Sequence, residues 1–358
     1  MRRFFSSIAS FRGSRRAPGA TEIGGLWRGT LLALRLPVRR LACIAAIVIL
    51  SSCGGLPSLD RSALEREPSA GAAEEEYGPM RVAAIDVGQG DATLVVAPTG
   101  EAALIDAGPW GVGASAVREA LLSMGAASLD AMIVTHYHED HFGGVPEVMA
   151  LLSGKGAVYD RGEPVRDPES PRFPLYESSA AGRRLALRPG DTLRFGDVRL
   201  EAVAVGGLLP DGTQVDLGEP ADENAASIAV LIRFGGFAML VAGDITGGGG
   251  NAPHGTPDVE TSLAPFVGDI DVLRVAHHGS NTSTNKTFLD AVRPEAAIIS
   301  VGDGNDHFHP HSAVIERLLE AGAEIFQTER GWLSADGPSV ADGDIVIEVS
   351  VDGRYEIM

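Results

Sequence analysis

Residues 135–141, Thr-His-Tyr-His-Glu-Asp-His, constrain this chain more than any other stretch. They place three imidazoles and a carboxylate in the spacing His-x-His-x-Asp-His. The apolar segment 131–134 comes directly before them, and Phe-Gly-Gly follows at 142–144. Imidazole and carboxylate groups suit zinc, manganese or iron and leave positions open for water. We therefore predict a catalytic metal site, rather than a solvated loop that happens to hold three of the nine histidines.

Four further motifs narrow the set of protein families that this chain resembles. They are Asp-Val-Gly-Gln-Gly-Asp-Ala at 86–92, Ala-Gly-Asp at 242–244, His-His-Gly-Ser at 277–280 and His-Pro-His at 309–311. Together with His-x-His-x-Asp-His they resemble the metallo-β-lactamase fold, and within it the metallo-β-lactamase-like domain of ComEC-type DNA-internalisation competence proteins. The resemblance implies an α/β fold, an αββα sandwich in a single domain at residues 80–358, with its site at one edge between two sheets. The polytopic membrane channel of full-length members has no counterpart here, so we expect a stand-alone domain.

The strand and helix patterns alternate, which by itself predicts a layered α/β domain. Strands are predicted at 82–87, 92–96, 101–105, 131–134, 228–234, 237–241, 270–275, 296–301, 324–328 and 345–351, with a hairpin pattern over 187–205. Helices are predicted at 112–124, 145–152 and 312–321. Residues 154–182 contain several Pro and Arg, and we predict a variable excursion there.

The resemblance implies one or two divalent metal ions, Zn²⁺ or Mn²⁺, and a set of ligands for them. That set is His136, His138, Asp140, His141, Asp244 and His277. Asp244 leaves a predicted buried strand beside a glycine, a position from which it can bridge two metals. His277 stands at a predicted strand end, which suits a ligand of the second metal, and His278 is then expected to support a ligand or to face the substrate.

Two residues are predicted to act in the reaction. Asp140 is expected to bind metal and to steer the water nucleophile. His309 matches the family's His-Pro histidine, and we expect a substrate-oxyanion donor or general acid there, because the pKa of an unperturbed imidazole lies close to neutral. Ser280 is expected either to donate to a phosphate oxyanion or to cap a helix that begins near Thr284.

Other polar residues are expected to support the site. Asp106 follows a predicted strand and either orients the ligand loop or caps the next turn, and Asp86 and Asp91 bracket a glycine turn as site residues or as Asx-turn residues. Most metallo-β-lactamase-fold enzymes have a histidine where Asn224 or Ser227 falls here, whereas ComEC-type relatives share the Asn-x-x-Ser form. The first metal site would then lack its third strong protein ligand, which predicts a weakly held or absent first metal.

The N-terminal region resembles a bacterial lipoprotein signal. A ten-residue apolar segment at 41–50 follows Arg39 and Arg40 and leads into Ser-Ser-Cys, with Cys53 as the expected acylated residue. We predict a leader at 1–53 and a flexible linker, rich in Ser, Ala, Glu and Pro, at 54–79. The expected location is the cell envelope, with a lipid anchor to the membrane and the protein facing the periplasm or exterior. The alternative is a soluble, secreted protein.

The charge distribution bears on the substrate. The leader holds nine arginines and one glutamate, a net charge of +8, and the whole chain carries −19, which leaves −27 for residues 54–358. Such an acidic body attracts nucleic acid poorly. The leading prediction is a metal-dependent phosphodiesterase or nuclease acting on a phosphoester or nucleic acid. The alternatives are a hydrolase of a small amide, lactone or ester, and a non-enzymatic envelope protein; no protein partner is indicated.

Overall fold

The computed structural model of this protein describes residues 78–164, 170–249, 255–332 and 337–358. The predicted leader with Cys53, and the predicted linker up to residue 77, lie outside the described residues. The lipoprotein signal, the envelope location and the domain boundaries therefore stay predictions. None of the helices in the described ranges combines the length and the apolar character that a bilayer span requires.

Two eight-stranded sheets form the centre of the described structure. The first sheet has the order β16-β15-β1-β2-β3-β4-β5-β6 and the second the order β14-β13-β12-β11-β10-β9-β8-β7. The strands of the first sheet are β1 (Met80–Ala84), β2 (Thr93–Val96), β3 (Ala102–Ile105), β4 (Leu129–Ile133), β5 (Leu152–Asp160), β6 (Arg184–Ala186), β15 (Ile345–Val349) and β16 (Tyr355–Ile357). The strands of the second sheet are β7 (Thr192–Phe195), β8 (Val198–Ala204), β9 (Ala229–Phe234), β10 (Phe237–Val241), β11 (Val272–Arg274), β12 (Ala296–Ile299), β13 (Glu324–Gln327) and β14 (Ser339–Val340).

Seven α-helices lie in the described ranges. They are α1 (Gly113–Ser123), α2 (Glu139–Phe142), α3 (Val145–Val148), α4 (Phe173–Ala180), α5 (Val259–Val267), α6 (Lys286–Val292) and α7 (Ser312–Ala321). Helix α7 follows its sequence prediction: it buries a stripe of Val314, Ile315 and Leu318, and it ends at Gly322, whose φ of 84° is the left-handed conformation that glycine adopts at little cost. Helix α6 begins after Asn285, whose side chain accepts a hydrogen bond from the backbone of Phe288 at 2.8 Å.

Three apolar clusters define four layers. One cluster lies between the sheets and joins residues such as Val82 of β1 to Met239 of β10. The alternate residues of the same strands face outward, because successive strand side chains point to opposite faces. On the first sheet these outward residues pack with Val117 of α1, and on the second sheet with Leu318 of α7. The order helices, sheet, sheet, helices confirms the predicted αββα sandwich.

The topology brings the motif-bearing loops to one edge. Strands β3, β4 and β5 run parallel in the first sheet, and β10, β11 and β12 run parallel in the second. The carboxyl ends of neighbouring parallel strands meet at the same edge of a sheet. Asp106 follows β3, the His-x-His-x-Asp-His loop follows β4, Asp244 follows β10 and His277 follows β11. Side chains far apart in sequence therefore meet where the two sheets face each other.

The prediction of a variable excursion at residues 154–182 is wrong in part. It contains most of β5, which pairs in parallel with β4, and all of α4. The helix predicted at 145–152 ends at Val148, a 3₁₀ turn follows at Met149–Leu151, and Leu152 already begins β5. Gly154, Lys155 and Gly156 give this strand a weak β pattern, so its pairing with β4 is needed to hold it extended.

Candidate metal centre

Asp106 anchors the loop that carries the histidines. Its carboxylate accepts hydrogen bonds from the backbone N–H of Thr135 at 2.8 Å and from the Thr135 hydroxyl at 2.6 Å. It also lies 2.8 Å from Nδ1 of His141. With Nδ1–H donated to Asp106, Nε2 of His141 faces the site and would bind a metal once its proton is displaced. Burial raises the pKa of Asp106, and the neighbouring His141 opposes that rise.

His136, His138 and Asp244 form the first group of candidate ligands. Their nitrogen and oxygen atoms lie within 4.8 Å of one another. Nε2 of His136 is 3.1 Å from Nδ1 of His138 and 3.7 Å from Oδ2 of Asp244. Burial, reinforced by the charge on His141, lowers the pKa of His136 well below its usual value, so this imidazole is neutral. A neutral imidazole is the form that binds metal.

Asp140, His141 and His278 form the second group. Nε2 of His278 lies 3.2 Å from Oδ2 of Asp140 and 3.3 Å from Nε2 of His141. Burial favours neutral His141, but the carboxylates of Asp244, Asp106 and Asp140 outweigh it and raise its pKa well above the usual value. Asp140, His141 and His278 thus place one carboxylate and two imidazoles close enough together to hold a divalent cation.

Asp244 lies between the two groups. Its Oδ2 faces His136, and its Oδ1 lies 3.2 Å from Nε2 of His141. Oδ1 is buried and accepts no hydrogen bond from the described residues. The backbone N–H of Asp244 donates to the Ser227 hydroxyl at 3.1 Å, so Ser227 supports Asp244 through the main chain. An orphaned carboxylate oxygen among imidazoles fits a divalent metal, which uses this donor set.

The positions of His277 and His278 differ from those that the sequence analysis expected. His278, expected to support a ligand or face the substrate, is in the second group, whereas His277, expected to bind the second metal, lies outside both groups, with its Nε2 3.8 Å from Oδ2 of Asp244. The prediction extended β11 to residue 275, but the strand ends at Arg274 and a 3₁₀ turn follows. Both histidines have left-handed φ angles, 54° and 52°, so the alternation of a strand does not apply to them.

Asn224 lies beside His277, with 3.2 Å between its Nδ2 and Nε2 of the imidazole. Both line an open cavity of about 660 Å³ above the two groups. Other lining residues are Gln89, Pro109, His138, Asp140, Ser170, Pro171, Asp244, His278, His307 and His309. The cavity gives a substrate direct access to the candidate metal ligands.

Hydrogen bonds between the Asn305 side chain and the backbone of His309 hold His309 beside the cavity. Asn305 accepts from its N–H at 3.0 Å and donates to its C=O at 2.8 Å. Nδ1 of the ring is buried and has no hydrogen-bond partner among the described residues. Burial, with the charges of the neighbouring histidines, lowers the pKa of His309 to about 3. The neutral ring offers one N–H donor, which suits the predicted oxyanion donor better than the predicted general acid.

Asp86, Asp91 and Ser280 are outside the cavity lining, and their side chains make other contacts. Oδ1 of Asp86 accepts from Gly88 N–H at 3.0 Å, which is the Asx-turn alternative. Asp91 is buried, and its carboxylate pairs with the guanidinium of Arg274 at 2.8 Å. It therefore connects the two sheets and does not face the substrate cavity. Ser280 lies against Thr282, 2.9 Å between hydroxyls, and is neither an exposed phosphate donor nor the helix cap, which is Asn285.

The sequence analysis did not predict a buried ion pair that lies behind the ligand loop. Glu223 accepts a hydrogen bond from the backbone N–H of Tyr137 at 2.7 Å and pairs with Arg161 at 2.7 Å. The guanidinium of Arg161 lies 4.2 Å from the centre of the Tyr137 ring. This pair fixes the loop between the first two histidines. Gln89 lines the cavity, although the sequence analysis did not name it as a site residue. Its position in the glycine turn at 86–92 was the sequence feature that could have indicated this.

Comparisons with known proteins show which family this chain resembles. The chain is 28% identical to ComE operon protein 3 of Bacillus subtilis over 263 residues, 69% of this chain and 31% of that protein. It is 30% identical to Recombination protein 2 of Haemophilus influenzae over 241 residues, 66% of this chain and 26% of that one. The chain thus spans about a third or less of the curated relatives it matches. These matches confirm the resemblance to ComEC-type competence proteins.

The solved structures that resemble this chain include YhfI of Bacillus subtilis, a metallo-beta-lactamase fold protein. It is 14% identical, with a TM-score of 0.44, and the match covers 71% of this chain and 98% of that one. The sequence pattern of the Metallo-beta-lactamase superfamily matches residues 85–303, which is more than half of the chain. This chain belongs to the metallo-beta-lactamase superfamily.

Proposed function

We propose that this protein is a metal-dependent phosphodiesterase. The observation that carries the metal part is the pair of histidine and aspartate groups beneath an open cavity, with Asp244 of the first group also facing His141 of the second. The phosphodiester part is supported by the match to competence and recombination proteins, whose names connect them with DNA. The superfamily membership supports hydrolysis as the reaction class.

The two groups assign the residues that would hold two divalent ions. His136, His138 and Asp244 would hold the first, and Asp140, His141, His278 and Asp244 the second. Ions bound there would neutralise charge on the scissile phosphate and activate a water nucleophile. Histidine and aspartate ligands suit both Zn²⁺ and Mn²⁺.

The chain's own residues would position the reactants. Asp140 is about one-third exposed and faces the cavity, so its free carboxylate oxygen would orient the attacking water. Asp106 holds Nε2 of His141 toward the site. His309 lines the cavity with a neutral ring that carries one N–H, and it would donate a hydrogen bond to an anionic oxygen of the substrate. An oriented donor at developing negative charge contributes most when water is excluded.

The charge of the chain favours small substrates. Residues 54–358 carry −27, whereas affinity for long nucleic acid rests on neutralising many phosphates. A small phosphodiester carries one negative charge and suffers less repulsion. We therefore propose small phosphodiesters or short strands as substrates, in preference to long duplex DNA.

A side-by-side assay tests the substrate class. The metal-loaded protein is given a chromogenic phosphodiester, single- and double-stranded DNA, and a chromogenic β-lactam. We expect the phosphodiester to be hydrolysed in a metal-dependent way, DNA to be cleaved more weakly, and His138→Ala to abolish both activities. Hydrolysis of the lactam alone would overturn the phosphodiester proposal, and it would favour the amide, lactone or ester alternative.

A further inference from the structure

We propose that His277 is the third imidazole ligand of the first metal ion, together with His136, His138 and Asp244. This inference rests on the proposed two-ion site. It gives a divalent cation a four-donor protein site of the N₃O type, where the sequence, with Asn224 and Ser227 in place of a histidine, predicts an incomplete one. It also moves His277 away from the second ion, where the motif placed it.

The position of Asp244 carries the first step. Its Oδ2 lies 3.7 Å from Nε2 of His136 and 3.8 Å from Nε2 of His277. Donor atoms bound at 2.0–2.1 Å to one tetrahedral ion lie about 3.3–3.5 Å from each other. The two imidazoles therefore approach the same oxygen at nearly the separation that shared ligation requires. His278 approaches the other oxygen, with 3.9 Å between its Nε2 and Oδ1.

The backbone explains why adjacent histidines separate in this way. His277 and His278 both have left-handed φ angles within a 3₁₀ turn. Left-handed conformations cost non-glycine residues energy and persist where the surrounding structure imposes them. Their ring centres lie 6.4 Å apart, with the planes at 70°. One strained turn thus delivers one imidazole to each side of Asp244.

The hydrogen bonds of His277 leave Nε2 as the nitrogen that would bind the metal. Nδ1 lies 3.0 Å from the Thr282 hydroxyl, which lies 2.9 Å from the Ser280 hydroxyl. With Nδ1–H donated to this hydroxyl pair, the lone pair is on Nε2, which faces Asp244. Thr282 and Ser280 would then be positioning residues for this ligand. This gives the buried Ser280 a function that the sequence did not predict.

Asn224 explains why no histidine is needed beside Ser227. Its amide lies 3.2 Å from Nε2 of His277, so the two side chains occupy the same side of the first group. A carboxamide is a poor ligand for ions that prefer imidazole. The imidazole therefore reaches the first group from the loop after β11 instead of from the loop before β9.

Metal content of paired variants tests the assignment. Zinc bound to the full chain is measured by mass spectrometry after dialysis, with folding checked by circular dichroism. We expect two equivalents in wild type and one in His277→Ala. His138→Ala/His277→Ala should still hold one equivalent, because both changes remove ligands of the same ion. His277→Ala/His278→Ala should hold none, because the changes affect different ions.

Other outcomes separate the inference from the proposed function. Two equivalents in both wild type and His277→Ala would overturn the inference alone. One equivalent in His277→Ala/His278→Ala and none in His138→Ala/His277→Ala would return His277 to the second ion. Fewer than two equivalents in folded wild type would overturn the two-ion site itself. As a second measurement, His277→Cys loaded with cobalt should gain a thiolate-to-cobalt charge-transfer absorption that wild type lacks; its absence would overturn the ligand assignment.

Discussion

Asp244→Ala is expected to reduce kcat/KM for a phosphodiester by about 10⁴-fold or more, because the ions it holds contribute several kcal/mol of charge stabilisation. Its two oxygens face different groups, so one substitution removes a ligand from each. We expect bound metal to fall below one equivalent in the same variant. Steady-state kinetics and metal analysis of one preparation measure both effects.

A matched control separates ligand loss from general charge effects. Asp197 is exposed in the turn between β7 and β8, and Asp197→Ala removes the same side chain from the surface. It should retain wild-type metal content and turnover. Full metal content in Asp244→Ala, or equal losses in the two variants, would contradict the bridging position assigned to Asp244.

His309→Ala is expected to lower kcat by about 10²–10⁴-fold while leaving two equivalents of metal bound, because oriented donors and acid–base residues contribute in this range. The ring faces the cavity and belongs to neither candidate group. Kinetics and metal content are compared in the same preparation. Loss of metal from His309→Ala would place His309 among the ligands and contradict its role.

His309→Asn distinguishes a hydrogen-bond donor from a general acid. The asparagine amide can donate a hydrogen bond but cannot supply a proton for transfer. If His309 donates to a substrate oxyanion, His309→Asn should recover part of the activity that His309→Ala loses. If the two variants are equally slow, donation alone does not explain the residue. The low pKa of His309, about 3, supports the first outcome.

The sequence predicted the features that depend on local pattern. Apolar segments before the histidine loop and before Gly243-Asp244 predicted β4 and β10, and their parallel neighbours brought Asp244 against the histidine loop. Helix α7 was predicted at its observed bounds because an apolar stripe and a terminal glycine agree. The superfamily and its αββα sandwich were predicted from the resemblance that the five motifs carry.

Features that depend on tertiary contacts were not predictable in this way. Strand β5 has glycines and a lysine in its first half and forms through its pairing with β4. The left-handed turn at His277 and His278 was not predictable from local pattern, because two successive non-glycine residues rarely adopt this conformation. The pair of Glu223 and Arg161 joins residues 62 positions apart. The site was therefore predictable in composition, but the assignment of its ligands to two groups required the structure.

Return of metal to metal-free protein tests the central claim most directly. The protein is stripped with a chelator, its metal content is verified, and hydrolysis of a small chromogenic phosphodiester is followed as Mn²⁺ or Zn²⁺ is added in steps. The two groups around Asp244 predict no hydrolysis without metal and a rate that rises to a plateau near two equivalents. Full hydrolysis by verified metal-free protein, or no hydrolysis by folded protein at any loading, would contradict a metal-dependent phosphodiesterase.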